Sequence, residues 1–199
     1  FRDAEKQAGP VAFSTMLKPA GSACNLDCHY CYYLDKAVQY GGKQAVMSDE
    51  LLELYVKQYI GANDVDTVQF CWHGGEPLLL GVDFYRRAMA FQQKYADGKR
   101  IENTLQTNGT LVDEAWCDLF AGNNFLVGIS LDGPQDIHDT FRLTKGGKPT
   151  FERVMQTISM FQRSGVEYNT LSVVNRLCEG RGGEIYRFFR DTVHSRYMQ

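Results

Sequence analysis

Two rhythms of apolar and polar positions alternate along this chain. Short apolar runs of strand length are each followed by a longer stretch whose apolar residues recur at helical spacing. The runs Val11–Leu17, Thr67–Trp72, Ile101–Gln106, Phe125–Leu131 and Tyr168–Val174 predict strands. The stretches Met47–Ile60, Val82–Tyr95, Asp113–Phe120, Thr150–Arg163 and Glu184–Arg190 predict helices, the first capped by Ser48 and the fourth by Thr150. Asp49 and Glu50 suit the positive end of the first helix dipole. His194–Gln199 is placed to open a sixth strand. Strict alternation of strand and helix implies parallel strands with right-handed crossovers, either a doubly wound sheet or a β/α barrel. In both architectures the functional residues gather at the carboxyl ends of the strands.

One connection departs from this rhythm. About thirty residues separate the first strand from the first helix, far more than a βα turn needs. Within them lies Cys24-Asn-Leu-Asp-Cys28-His-Tyr-Cys31, with the spacing C-x3-C-x2-C. A [4Fe–4S] cube has four irons and normally takes four cysteines. Three cysteines leave one iron open to a small chelating molecule, and a site with an open position does chemistry. The plainer alternatives are a zinc knuckle with a distant fourth ligand, or three cysteines close together by chance. Structural zinc sites more often show two separated cysteine pairs, and this chain has no second C-x2-C.

Composition excludes several classes. At 199 residues and 44% apolar content, the chain suits one domain or a large part of one. No apolar run is long enough for a bilayer, and the start Phe1-Arg-Asp-Ala-Glu-Lys lacks a secretion-signal layout. A net charge of −3 with interspersed signs offers no electrostatic case for nucleic acid. Cys71, Cys117 and Cys178 are scattered rather than paired, which favours a reducing cytoplasm over a disulfide framework.

The other distinctive motifs also fall just past strand ends. In Cys71-Trp-His73-Gly74-Gly75-Glu76-Pro77, two glycines let backbone approach a ligand and present carbonyls to an ammonium group, or simply make a βα turn. Gln106-Thr107-Asn108-Gly109 sets three hydrogen-bonding side chains at the same rim, or is an ordinary Asn-Gly turn. In Ser130-Leu131-Asp132-Gly133-Pro134, Ser130 can meet ribose or carboxylate oxygens. Arg142 can grip a carboxylate bidentately, or pair at the surface with Asp136 or Asp139. His138 reads as structural, and Cys71 as a small buried apolar residue.

Taken together, these motifs resemble those of radical S-adenosylmethionine (SAM) enzymes. The likeness rests on Cys24-x3-Cys28-x2-Cys31 with the aromatic Tyr30 before the last cysteine, and on Gly74-Gly75-Glu76-Pro77 after the second strand. The runs Cys-Asn-Leu-Asp-Cys-His-Tyr-Cys-Tyr-Tyr, Trp-His-Gly-Gly-Glu-Pro-Leu, Gln-Thr-Asn-Gly-Thr and Ile-Ser-Leu-Asp-Gly-Pro most resemble anaerobic sulfatase-maturating enzymes. Members of that family oxidise a cysteine or serine of a sulfatase to Cα-formylglycine, and carry a C-terminal SPASM domain.

The resemblance implies a partial (β/α)6, TIM-like barrel, with residues 1–199 as a radical SAM core that stops near its sixth strand. It implies that Cys24, Cys28 and Cys31 ligate a [4Fe–4S] cluster whose free iron is chelated by SAM. Tyr30, Gly75, Ser130 and Arg142 would contact SAM, with Gly74 and Glu76 close by. Reductive cleavage of SAM would give a 5′-deoxyadenosyl radical that removes hydrogen from Cβ of the target residue. The partners implied are a sulfatase protein or peptide and an electron donor such as flavodoxin or ferredoxin. The family's proposed catalytic aspartate and auxiliary-cluster cysteines have no counterpart here, so no catalytic residue is expected within these 199. The alternatives are another peptide-modifying radical SAM maturase, for example a thioether-forming one, and a non-catalytic electron-transfer module.

Overall fold

The computed structural model describes residues 12–33 and 46–199. Five strands, β1 (Met16–Leu17), β2 (Thr67–Trp72), β3 (Arg100–Thr107), β4 (Phe125–Ser130) and β5 (Glu167–Leu171), form one sheet in chain order. Every neighbouring pair is parallel. The crossovers carry α1 (Asp49–Ala62), α2 (Val82–Tyr95), α3 (Glu114–Gly122), α4 (Gln135–Phe141) and α5 (Phe151–Ser164), and α6 (Gly182–Arg187) follows β5. Crossovers of one hand in unbroken strand order put the helices on one face and curl the sheet into a partial TIM-like barrel.

Local sequence explains most of these elements. Ser48 caps α1 by accepting the Leu51 N–H, and Asp113 caps α3 by accepting that of Trp116. The predicted Thr150 cap is corrected. Asp139 caps α5 instead, taking the N–H groups of Thr150 and Phe151, while the Thr150 hydroxyl donates to the Arg142 carbonyl. Helix α4 was not predicted, since seven residues hold too little periodicity; Pro134 just before it is the one local start signal.

Strand β1 is shorter than predicted, and Val11 lies outside the described residues. The Phe13 N–H goes to the Asn63 side chain rather than to a neighbouring strand. Strand β5 ends at Leu171 because the Val173 N–H leaves the ladder for Asp132. The expected sixth strand begins where Met198 bridges Thr170 in parallel, with the Gln199 N–H on the Thr170 carbonyl.

Period-two alternation sorts the strand residues onto two faces. Val68, Phe70 and Trp72, with Phe125, Val127 and Ile129, turn toward the helices and pack on Leu52, Val56, Tyr85, Phe120 and Phe161. The opposite, inner face is polar and partly open. By register Met16, Cys71, Thr104, Leu126 and Glu167 share one level there, and Gln106, Gly128 and Asn169 lie nearer the carboxyl rim. Cys71 is therefore corrected: it is half-buried on the inner face, not a core residue.

Candidate functional site

All five strands point the same way, so the segments that follow them meet at one rim. The cysteine loop after β1 is fastened to that rim on three sides. At the β2 end, Gly75 N–H donates to the Gly21 carbonyl at 3.0 Å and Glu76 N–H to that of Ala23 at 2.7 Å. A Cβ on Gly75 would stand 2.2 Å from the Ala23 oxygen, so only glycine permits this approach. Among the described residues no donor reaches the Gly74 or Gly75 carbonyl, and both stay available as acceptors.

At the β3 end, the Asn25 side chain donates to the Thr110 hydroxyl at 2.8 Å, and Asn108 donates to Asn25 Oδ1 at 2.9 Å. On the β4 side, Leu26 bridges Thr144, Asp27 N–H meets the Leu143 carbonyl, and His29 N–H meets that of Phe141. The Tyr30 hydroxyl donates to Asp132.

The three thiols sit inside this frame. Burial pushes the Cys28 thiol up to about 11, Arg142 opposing it and the other two cysteines adding to it. Cys24 is raised for the same leading reason. Cys24 and Cys28, held back by burial and by neighbouring thiolate charge, suit a cationic iron–sulfur core that supplies the missing positive charge. Among the described residues no three His, Cys, Asp or Glu side chains converge as one ion requires. Three thiols on one loop are the soft donors that an iron–sulfur cluster takes.

Beyond β4 lies a buried polar junction centred on Asp132. Its carboxylate pairs with Arg142 at 3.0 Å and accepts both the Tyr30 hydroxyl and the Val173 N–H. The Arg142 guanidinium also lies over the Tyr30 ring, 5.5 Å from its centre. The surface pairs anticipated for Arg142 are not made: Asp136 binds Arg181, and Asp139 caps α5. Arg142 is itself buried, and its Nε has no partner among the described residues. His138 is fully buried, with one ring nitrogen on the Asp132 N–H and the other on Thr150, which fits its structural reading.

Glu76 is also fully buried, and its carboxylate is occupied by protein. It accepts from Leu78 N–H, Thr107 hydroxyl and Asn108 N–H, at 3.0, 2.8 and 2.8 Å. Its visible work is to brace the β2 turn against β3. Ser130 stands at the rim with its hydroxyl accepting from Gln106. Tyr30, Arg142 and the cysteines are thus brought together, whereas Glu76 is turned into the protein. Sequence reasoning missed the part played by Asp132. The only local signal was its place just past a strand end.

Residues 19–178 match the Radical SAM superfamily. The chain belongs to that superfamily. Within it, the chain is 48% identical to a serine-type anaerobic sulfatase-maturating enzyme of Bacteroides thetaiotaomicron, over 92% of its own length and 44% of the relative's. It is 41% identical to a cysteine-type counterpart from Clostridium novyi, over 90% of this chain and 48% of that one. The solved structure of native anSMEcpe with bound AdoMet and Kp18Cys peptide superposes with a TM-score of 0.86 at 37% identity, covering 94% of this chain and 50% of that one. The chain spans about half the length of the curated relatives it matches. No helix among the described residues is long and apolar enough to cross a membrane.

Proposed function

We propose that this chain is the cluster-holding, SAM-binding core of an enzyme that oxidises a cysteine or serine of a sulfatase, presented as protein or peptide, to Cα-formylglycine. The observation that carries the reading is the C-x3-C-x2-C loop fastened to a rim that offers acceptors on one side and a buried cation on the other. When bound, a [4Fe–4S] cluster with SAM on its open iron supplies a 5′-deoxyadenosyl radical by one-electron cleavage. Cys24, Cys28 and Cys31 hold that cluster through three sulfurs. The Gly74 and Gly75 carbonyls accept from the SAM ammonium group, and the Arg142 guanidinium is the cation that meets its carboxylate. Tyr30 supplies an aromatic wall, and the Ser130 hydroxyl is available to the ribose. Glu76 and Asp132 act through others, holding the glycine turn and Arg142 in place. The scattered free cysteines accord with a reducing cytoplasm, where flavodoxin or ferredoxin is a suitable electron donor.

Anaerobic reconstitution followed by electron paramagnetic resonance tests this directly. The reduced protein is expected to give a cluster signal that changes when SAM is added. An unaltered spectrum would sink the reading in favour of plain electron transfer. Cys28→Ala is expected to lose the cluster, and normal iron content in that variant would contradict the ligand assignment. For the chemistry, a peptide bearing Cys or Ser in a C/S-x-P-x-R setting is expected to show the mass change to formylglycine when incubated with the reduced protein and SAM. No such change would favour another peptide-modifying maturase.

A further inference from the structure

The three cysteines are not equivalent. Cys24 Sγ receives two N–H donors, from Leu26 backbone at 3.4 Å and from Asn108 Nδ2 at 3.7 Å. No such donor to Cys28 or Cys31 sulfur occurs among the described residues. The Asn108 amide is also oriented without ambiguity. Its Oδ1 accepts both the N–H and the hydroxyl of Thr110, at 2.9 and 2.7 Å, and a backbone N–H can only donate. The amide nitrogen must therefore face Asn25 and Cys24. Asn25 closes the ring by accepting from Asn108 and donating to Thr110. Asn108 is buried at 8% exposure, so its donor works in a medium of low dielectric.

We infer that Asn108 is a positioning residue that raises the reduction potential of the cluster through its hydrogen bond to the Cys24 sulfur. This rests on the ligand assignment proposed above and adds a role that the Gln-Thr-Asn-Gly turn does not disclose. One-electron reduction by an external donor adds negative charge to the cluster and its thiolates without making or breaking a bond. An N–H aimed at a ligand sulfur stabilises that added charge, and hydrogen bonds to sulfur are among the determinants of cluster potential. A higher potential brings the cluster within reach of a milder reductant. The asymmetry also assigns the effect to the Cys24 corner.

The test is a dithionite titration of the anaerobically reconstituted chain, followed by electron paramagnetic resonance, for wild type, Asn108→Ala and Asn108→Asp. The aspartate keeps an acceptor for Thr110 but adds a charge that lowers the potential by itself, so the neutral alanine decides the role of the donor to sulfur. Both variants are expected to hold the wild-type amount of iron and to titrate at more negative potential. The expected size is about a tenfold fall in the reduced-to-oxidised ratio at fixed potential, which is about 59 mV for one electron. An unmoved potential of the alanine variant at full iron content overturns the inference and leaves the ligand assignment standing. Loss of iron from both variants also counts against it, because a tuning residue leaves the ligand set intact. A wild-type chain that takes up no cluster overturns both readings together.

Discussion

Glu76 and Asp132 brace the cysteine loop from opposite sides, and they differ in what meets their charge. Both carboxylates are shut away from water, at 0% and 1% exposure. Among the described residues Glu76 is met only by neutral donors, two backbone N–H groups and a hydroxyl. Asp132 has a neutral set of similar size and, in addition, the Arg142 cation at 3.0 Å. For Glu76 the result is a carboxyl pushed up to about 7 by burial, which its three hydrogen bonds offset only in part. Three neutral hydrogen bonds satisfy the geometry of the Glu76 carboxylate without cancelling the effect of its burial.

Removing each carboxylate sharpens the contrast most. Asp132→Ala strands a buried guanidinium, a loss expected to cost about 3–5 kcal/mol. Glu76→Ala strands only neutral donors and should cost about 1–3 kcal/mol. Urea denaturation of the two variants measures both, and equal losses would abolish the distinction. Asp132→Ala should also weaken SAM binding, since Arg142 loses the group that orients it.

The pH dependence of stability comes next in size. A folded Glu76 near 7 holds its proton longer than an unfolded one at 4.5. Its contribution is fully present below 4.5 and is lost as pH rises through about 7, on the order of 3 kcal/mol. His138 opposes it. Burial, helped by the Arg142 charge, pushes that imidazole down from 6.5 to about 4. Its contribution, on the order of 3 kcal/mol, is lost as pH falls through that window. Between pH 4.5 and 6.5 the two slopes largely cancel. Glu76→Gln should expose the histidine, so that its melting temperature drops on acidification from 6.5 to about 4. A variant with the wild-type pH profile would show that Glu76 is ionised throughout.

A single hydroxyl tests the Asp132 side alone. Tyr30→Phe keeps the ring beside Arg142 and Phe141 and removes one hydrogen bond to a charged group. Its cost is expected to be about 1.5–3 kcal/mol by thermal unfolding, well below that of Asp132→Ala. A cost matching the aspartate variant would mean that the hydroxyl, not the ion pair, holds the junction.

Much of the architecture could be read along the chain because it depends on neighbours in sequence. Alternating apolar runs and helical stripes placed β2, β3, β4, α1, α2 and α5 within a few residues of their observed bounds. Parallel strands then follow from alternation, and a rim of shared loops follows from parallel strands. The cysteine spacing was legible for the same reason: three ligands on one short loop need no knowledge of the rest.

What sequence alone could not decide was which charged or polar group meets which partner across space. Arg142 pairs with Asp132 rather than with Asp136 or Asp139, both closer along the chain, because the latter two are taken by Arg181 and by α5. Cys71 faces the inner side because its pleat alternates with Phe70 and Trp72, and Glu76 turns inward because Thr107 and Asn108 wait at the next strand end. Periodicity and spacing act over one turn or one pleat and are written locally. Desolvation and counter-charge act between segments that only the folded sheet brings together.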